Sequence, residues 1–364
     1  MNIDFLKVCS DVTKTARKIP QSQYLSSGQY PIFDQGQKTI SGYYNDAGNI
    51  ANDFPYIVFG DHTRVLKYVN EPCYIGADGV KLLKIINNDF VPKYVFYALL
   101  ANPVNSQGYS RHFKFLKEKK IKIASKKEQH FIIEKLDSIK KSIELKENEL
   151  KSLDELVKSR FIEMFGNPMD EMKWNSTFTE VVIFNPKKSE VKKDMEIEAS
   201  FVPMEAIGTD GSFSIRKSGK IKDFYKGYTY FKDGDVIFAK ITPCFENGKI
   251  AIANHCANKI GFGTTEFHVA RPIPGKTNAE WIMNLLRNDS LHTYASSKMT
   301  GSAGQKRIQT PFFEKLGVYL PPLELQNSFA DFVHLVDKSK FVVQQQIKDL
   351  QELLDKKMDE YFSE

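Results

Sequence analysis

Two long stretches of the chain carry apolar residues at the spacing of an amphipathic helix. Positions separated alternately by three and four residues are mostly apolar through 126–166 and again through 324–364, with basic residues such as Lys146 and Lys340 interrupting the series. This spacing is typical of a coiled-coil seam, where one apolar stripe of each helix faces a partner helix. The predicted seam residues are Leu136, Ile139, Ile143, Leu150, Leu153 and Val157 in the first helix, and Val333, Val336, Val343, Ile347, Leu350 and Leu354 in the second.

Each predicted helix needs a partner along its apolar stripe. Gly166-Asn167-Pro168 ends the first helix and Pro321-Pro322 precedes the second. About forty residues span roughly 60 Å, and an isolated helix of this kind is marginal in water. We expect the two helices to pair with each other in antiparallel orientation and to act as a spacer. The alternative is that each packs only on its own globular part, as an ordinary amphipathic surface helix.

The remaining sequence predicts two mixed globular parts. The run 55–61 reads as a strand entering a turn, 91–102 has helical spacing, and 231–240 reads as a turn followed by a strand. The predicted fold class is therefore α+β, with two mixed globular domains separated by two long helices that form an antiparallel coiled coil. The predicted boundaries are 1–125, 126–166, 167–323 and 324–364.

The chain also repeats itself. Gln129 and Phe165 match Gln326 and Phe362 without a gap, because 326 − 129 = 362 − 165 = 197. Near the start of each copy, Phe5 matches Phe178 at an offset of 173, so the second globular part is longer by 197 − 173 = 24 residues. Such self-similarity indicates two copies of one unit. Conserved ends around a divergent interior are what we expect if each interior recognises something different.

Composition narrows the class of partner. Lys+Arg 51 against Asp+Glu 45 gives a net charge of +6, which permits a nucleic-acid partner only through local basic patches. The four cysteines form no CxxC pair, so we expect free thiols in a reducing cytosol and no zinc site. The first residues lack an apolar signal core and no apolar run reaches membrane-spanning length, so a cytoplasmic protein without a membrane partner is expected.

Motifs for catalysis are missing from the sequence. It contains no GxxxxGK[ST], GxGxxG, HExxH, GxSxG or paired CxxC, and no Asn/Asp-Pro-Pro-aromatic methyl-transfer signature. Glu144-Leu145-Lys146 resembles the end of a nuclease motif, but it lies mid-helix and fits a solvated helix face better. The sequence thus favours a binding protein without metal or cofactor. Two rival functions stay open: a chain that itself cuts or methylates DNA, and a coiled-coil scaffold that binds only protein.

Several loops carry side chains suited to DNA. They lie before each long helix (105–112 and 298–308), after a buried strand (59–64 and 239–249) and in a glycine-rich stretch (34–39). Their amide, hydroxyl and cationic groups can bind phosphate or base edges, although loops of this composition often only form turns. The candidate DNA-binding residues are Gln35, Gln37, Lys38, His62, Thr63, Arg64, Gln107, Ser110, Arg111, Lys240, Thr242, Asn247, Lys249, Thr300, Ser302, Gln305, Lys306 and Arg307.

These motifs resemble the specificity subunit of type I restriction-modification enzymes over essentially the whole chain. The similar segments are 153–166 (LDELVKSRFIEMFG), 234–249 (GDVIFAKITPCFENGK), 301–307 (GSAGQKR) and 320–326 (LPPLELQ). The first copy departs from the pattern: it has Ile123-Ala124-Ser125 in place of Leu320-Pro321-Pro322, and its loop lacks the Gly-x-Ala-Gly-Gln form.

The resemblance implies a function and partners. It implies two target-recognition domains, at 1–125 and 167–323, each followed by a conserved helix of a coiled-coil spacer. It implies a non-catalytic, sequence-specific DNA-binding subunit that reads a bipartite target in double-stranded DNA. The implied partners are two methyltransferase (modification) subunits and restriction/translocase subunits. S-adenosylmethionine, ATP and Mg would belong to those subunits, which together would form an adenine-specific DNA methyltransferase and ATP-dependent endonuclease.

Overall fold

The computed structural model describes residues 1–46, 48–108, 110–193, 196–302 and 304–363. The chain divides into two compact units. Unit 1 consists of Met1–Asn148 with Gln344–Glu364, and unit 2 consists of Glu149–Val343. Both units therefore contain a part of each long helix. The four sequence ranges predicted as domains stay a prediction, since the compact units take in parts of both helices.

Unit 1 is built from short strands, two short helices and parts of the long ones. Its strands are β1 (Asn2–Asp4), β2 (Cys9–Asp11), β3 (Lys18–Ile19), β4 (Tyr30–Phe33), β5 (Gly42–Tyr44), β6 (Tyr56–Gly60), β7 (Leu66–Val69), β8 (Tyr74–Gly76), β9 (Val80–Ile85) and β10 (Lys120–Lys122). Its helices are α1 (Pro92–Ala101), α2 (Phe113–Leu116) and the beginning of α3 (Lys126–Phe165). The last part of α9, defined below, completes the unit.

Unit 2 repeats this order with more helix. Its strands are β11 (Ser176–Thr177), β12 (Val182–Phe184), β13 (Glu198–Val202), β14 (Lys217–Lys220), β15 (Thr229–Lys232), β16 (Val236–Ala239), β17 (Ile250–Ile252), β18 (Ile260–Gly263), β19 (Phe267–Pro272) and β20 (Gly317–Val318). Its helices are α4 (Phe178–Val181), α5 (Ile221–Phe224), α6 (Ala279–Arg287), α7 (Asp289–Ser297), α8 (Thr310–Lys315) and the beginning of α9 (Leu323–Phe362).

The sheets of the two units correspond. Unit 1 has an antiparallel sheet of order β2-β9-β6-β7, and unit 2 has one of order β12-β19-β16-β17. A small pair, β1 with β10 and β11 with β20, joins the start of each unit to the segment before its long helix. The other four-stranded sheets, β3-β8-β4-β5 and β14-β13-β18-β15, differ from each other in strand direction. In the first sheet β8 is parallel to both of its neighbours, β3 and β4, whereas in the second β18 is parallel to β13 and antiparallel to β15. The α+β fold class is confirmed.

Short apolar runs form the central strands, as predicted. Every residue of β6 and of β16 is buried, which explains why these strands read as continuous apolar sequence. The helical spacing at 91–102 corresponds to α1. Gly166 ends α3 with a φ of +80°, a conformation that glycine adopts without strain.

In unit 1 the first part of α3 packs beside the last part of α9. Ile132 and Leu136 are buried in one apolar cluster with Tyr94 of α1, and Leu354 and Phe362 of α9 pack against the same cluster. The Tyr94 and Phe362 rings are 5.3 Å apart between centroids. The beginning of one long helix thus shares a core with the end of the other.

Unit 2 shows the reverse combination. Phe161 and Phe165, near the end of α3, lie 5.5 and 5.4 Å from Phe329, near the beginning of α9. Farther along, Lys340 Nζ is 2.6 Å from Asp154 Oδ1. Residue numbers therefore rise along one helix as they fall along the other, which confirms the antiparallel pairing. Both helices also pack on the core of the unit.

All of the predicted seam residues lie in the described part of the chain, and each is buried or half-buried. Whether each faces the other helix stays a prediction. None of the helices described has an apolar segment of the length needed to cross a membrane. The four cysteines are free, as expected.

Candidate nucleic-acid interface

The candidate loops of each unit meet at the end of its central strand, on the same backbone frame. In unit 1, Asp61 N donates to Gly79 O (2.6 Å) and Asp61 O accepts from His112 N (2.8 Å). In unit 2, Lys240 N donates to Glu266 O (2.8 Å) and Lys240 O accepts from Ile308 N (2.9 Å). Asp61 and Lys240 follow β6 and β16 directly. The loops predicted from sequence are therefore brought together in both copies.

This frame also locates most of the extra residues of unit 2. The equivalent positions differ by 240 − 61 = 179, 266 − 79 = 187 and 308 − 112 = 196. Eight additional residues (187 − 179) thus follow the central strand, and nine more (196 − 187) precede the last loop. The second insertion contains α7. The repeated architecture is confirmed, and these two insertions flank the candidate DNA-binding loops.

In unit 1, three loops are tied together through 60–64. Thr63 Oγ1 donates to Gln35 O (2.6 Å), and Arg64 Nη1 donates to Val104 O (3.3 Å). Gly79, with a φ of +58°, lies so close that a Cβ atom there would be 2.7 Å from both Gln35 Oε1 and a His62 ring carbon. Only glycine fits this approach. Gln35, His62, Thr63 and Arg64 therefore belong to one surface.

Most candidate residues of unit 1 are open to a ligand. Gln35 Oε1 and Ser110 Oγ are exceptions, since they are buried atoms without a hydrogen-bond partner among the described residues. Tyr109 of this loop lies outside the described residues. The exposed candidates are Gln37, Lys38, Thr63, Arg64, Gln107 and Arg111, and the half-buried ones are Gln35, His62 and Ser110.

Two buried residues that the sequence did not single out hold the last loop of unit 1. The Asp61 side chain, 5% exposed, accepts from Phe113 N at the start of α2 (2.7 Å). His112, 1% exposed, accepts from Gln107 N at Nε2 (3.2 Å) and therefore donates from Nδ1 to Asp61 O (3.1 Å). These contacts attach the loop segment that carries Gln107 and Arg111 to Asp61, at the end of the central strand β6.

In unit 2, the segment 300–307 forms a small bridge. Thr300 and Arg307 exchange backbone hydrogen bonds, and Thr242 N donates to Lys306 O (2.9 Å). The Arg307 guanidinium binds both carboxylate oxygens of Glu266, at 3.0 and 2.8 Å, and this contact lowers the pKa of Glu266. Arg307 therefore has an internal partner, a contact that sequence spacing alone did not reveal.

Other candidates of unit 2 differ in exposure. Lys249 Nζ donates to Met204 O (2.9 Å), so this ammonium is engaged within the unit. Thr242 Oγ1 is buried without a hydrogen-bond partner among the described residues. Ala303 lies outside the described residues. The exposed candidates are Asn247, Thr300, Ser302, Gln305 and Lys306, and the half-buried ones are Lys240, Thr242, Lys249 and Arg307. DNA contact by any of them stays a prediction.

Two histidines attach these loops to the body of unit 2. His268 on β19 lies 3.0 Å from Ile308 O through Nε2. Burial lowers its pKa to about 4. His292 on α7 lies 2.6 Å from Phe245 O through Nε2, and its ring stacks on Phe245 at 4.6 Å. Helix α7 of the second insertion therefore packs against the loop that follows β16.

The chemistry of both surfaces is that of binding. Each combines exposed amides, hydroxyls and cations on loops that a buried frame supports, which suits phosphate and base-edge contacts. Across the described residues, His, Cys, Asp and Glu side chains form no group of three that could hold a metal ion.

The sequence matches the family described as "Type I restriction modification DNA specificity domain" over residues 4–155 and again over 173–352. The specificity subunit of the type I restriction enzyme EcoEI from Escherichia coli is 43% identical over 170 residues, which is 44% of this chain and 28% of that protein. The EcoAI specificity subunit of the same organism is 45% identical over 161 residues, covering 43% of this chain and 26% of that protein. The matched part is thus little more than a quarter of either relative.

Two solved structures share the fold. The crystal structure of the S subunit of a type I restriction-modification system from M. genitalium aligns with a TM-score of 0.54 at 14% identity, over 100% of this chain and 96% of that one. A chain from a study of complex assembly and conformational transition in the type I R-M system aligns with a TM-score of 0.55 at 15% identity, over 100% and 97%. These identities support the architecture alone.

Proposed function

Because this chain belongs to the family of type I restriction-modification DNA specificity domains, we propose that it is the DNA-reading subunit of a type I restriction-modification complex. Each unit docks on one half-site of double-stranded DNA, where phosphate contacts place it and loop side chains read base edges. The two half-sites differ and are separated by unspecified base pairs. The long helices set their separation.

One observation carries this proposal: the same backbone frame presents different loops in the two units. Asp61 and Lys240 occupy equivalent frame positions, yet one is a buried carboxylate and the other a half-buried cation. Eight and nine inserted residues then alter the loops on either side in unit 2. The same frame with different loops supports two domains that recognise different DNA sequences. A coiled-coil protein that binds only protein would have no use for such a difference between the loops.

The proposed partners supply the catalysis. Two modification subunits bring S-adenosylmethionine and methylate an adenine that must leave the base stack, and restriction subunits hydrolyse ATP with Mg. The chain needs no cofactor of its own and works in the cytoplasm. Exposed apolar side chains on the long helices favour contact of these helices with partner proteins. Among them are Leu145, Leu335, Phe341 and Val342.

The test is selection from duplex DNA with two randomised segments, using the full chain together with the proteins that copurify with it. We expect a split motif. Replacing residues 1–125 with the corresponding part of another member of the family should change one half of the motif only. The control is a chain in which the natural residues 1–125 are rejoined through the same junctions, so that only the junctions differ from the natural chain. Selection of no motif, or an unchanged motif after the replacement, contradicts the proposal, and cutting of DNA by the chain alone favours a catalytic rival.

A further inference from the structure

A buried histidine holds the last candidate loop in each unit, although the two histidines come from different elements. His112 belongs to the loop of unit 1 and reaches the end of β6. His268 belongs to β19 of unit 2 and reaches the loop at Ile308 O. Both are nearly inaccessible, at 1% and 4% exposure. Because the two histidines lie on different elements, the contact in unit 2 is not the equivalent of the contact in unit 1.

The partners of His112 fix which of its nitrogens carries hydrogen. Gln107 N donates to Nε2, so Nε2 must accept, and Nδ1 therefore carries the hydrogen that Asp61 O accepts. A charged imidazolium has no acceptor nitrogen and would lose the bond from Gln107. The neutral ring thus joins two points of the chain: the end of the central strand and the segment that carries candidate DNA-binding residues.

The partners of His268 are equally informative. Asn185 Oδ1 accepts from Val269 N (3.0 Å), so the Asn185 amide nitrogen faces His268 Nδ1 at 3.2 Å and donates to it. His268 Nε2 then carries the hydrogen and donates to Ile308 O. The ring lies among Phe184, Phe238 and Phe313, with centroids 5.1 to 5.6 Å away. This apolar cage favours the neutral form.

The geometry points to His112 and His268 as positioning residues for DNA reading, each holding the loop that selects one half-site. This inference rests on the proposed function and deepens it, because it assigns to each half-site a residue that does not itself touch DNA. Losing one histidine should loosen one loop and leave the other unit unchanged, since among the described residues the hydrogen bonds of each ring join parts of a single unit.

The test compares His112→Phe with His268→Phe in selection from the same randomised duplexes. Phenylalanine keeps an aromatic ring of similar shape and removes the ring hydrogen bonds. We expect His112→Phe to lower the preference for the correct bases of one half-site about tenfold, and His268→Phe to do so for the other, because an unmatched buried group costs on that order. Affinity for DNA without the motif should stay unchanged.

Conservative variants separate positioning from simple loss of folding. His112→Asn can still donate near the Nδ1 position and His268→Gln near the Nε2 position, so each should restore a large part of the preference. The matched control is His255→Asn: His255 is exposed and has a φ of +55°, which asparagine tolerates. Thermal unfolding of every variant shows whether the unit still folds.

The outcomes are distinct. If the natural chain selects no split motif, the proposed function fails and this inference fails with it. If the natural chain selects a motif but both phenylalanine variants select it equally well, the inference alone is overturned. Loss of both half-sites in a single folded variant also overturns it, whereas loss of one half-site with rescue by Asn or Gln supports it.

Discussion

Gln129 and Gln326 make the same three hydrogen bonds in their respective units. Gln129 accepts from Val91 N (2.7 Å) and donates to Asp89 O (2.8 Å) and Ala124 O (2.9 Å). Gln326 accepts from Asn278 N (3.1 Å) and donates to Lys276 O (3.0 Å) and Pro321 O (2.9 Å). Both side chains are 0% exposed. The glutamine that marks the repeat in the sequence therefore joins a short helix to the beginning of a long one.

We predict that Gln129→Met and Gln326→Met each lower the free energy of unfolding by about 3 kcal/mol, because the change leaves buried donors and acceptors unmatched. Unfolding in urea measures the loss. Gln346→Met on α9, where the side chain is exposed, is the control and should change stability by less than about 0.5 kcal/mol. If Gln346→Met lowered the free energy of unfolding as much as the two buried changes do, the loss could not be assigned to the hydrogen bonds of Gln129 and Gln326.

Stability should depend on pH through His268. Burial lowers the pKa of His268 from its ordinary value of 6.5 to about 4. The unfolded chain takes up this proton first as the pH falls, so stability is full above 6.5 and is lost between there and 4, by roughly 3 kcal/mol in total. His268→Gln should remove this dependence. Urea unfolding of both proteins across that range checks it, and parallel curves would contradict it.

Glu280 should act in the opposite direction. Burial raises its pKa, and His334, 3.6 Å away, only partly opposes this effect. The folded state binds this proton more tightly than the unfolded chain, so stability is highest at low pH and falls as the pH rises through the raised pKa. Glu280→Gln should therefore stabilise unit 2 increasingly as the pH rises from 4.5, the ordinary pKa of this carboxyl group, towards neutral pH. Thermal unfolding at both ends of that range gives the answer, and a benefit that is constant with pH would refute the assignment.

Lys306 is exposed beside the bridge of Thr300 and Arg307, a position suited to DNA phosphate. We expect Lys306→Ala to weaken binding to all duplexes alike and to lower the slope of log affinity against log salt by about 1. Titrations at several salt concentrations measure the slope. Lys226→Ala, an exposed lysine of unit 2 outside the candidate loops, should leave it unchanged. Relaxed base preference without a change in slope would assign Lys306 to base reading instead.

The helix lengths should set the distance between half-sites. Seven residues added after Asn148 in α3 and seven after Val343 in α9, at the boundary of the compact units, lengthen each helix by about 10.5 Å. We expect the selected motif to keep both halves and to gain about three base pairs between them, at about 3.4 Å per base pair. Seven residues added to α3 alone should abolish selection, because the antiparallel register is lost. An unchanged spacing in the doubly extended chain would reject the spacer.

Apolar periodicity was a reliable guide to the largest elements. It placed α3 and α9 to within a residue or two, because an apolar stripe that repeats over forty residues is characteristic of a long helix. Continuous apolar runs likewise revealed the central strands. Strands of only two residues, such as β3 and β20, carry too few side chains for a pattern, and they pair with strands distant in sequence.

The candidate surface was predicted only in part. Polar, glycine-rich composition located the loops, but composition cannot say which polar residue binds DNA and which holds the loop. Asp61 and His112 are 51 positions apart, and Arg307 and Glu266 are 41 apart. Such pairings exist only after folding. The repeat at Gln129 and Gln326 was a signal of a buried role that the sequence already contained.

Unit 1 has a consequence for the way the protein is made. Its core needs the last turns of α9, which belong to Gln344–Glu364, whereas unit 2 consists of the single stretch Glu149–Val343. A ribosome therefore delivers all of unit 2 before unit 1 has its complete set of residues. The part of the protein that begins first is finished last, and an early chain termination just before α9 ends would spare one unit and leave the other with an uncovered apolar surface.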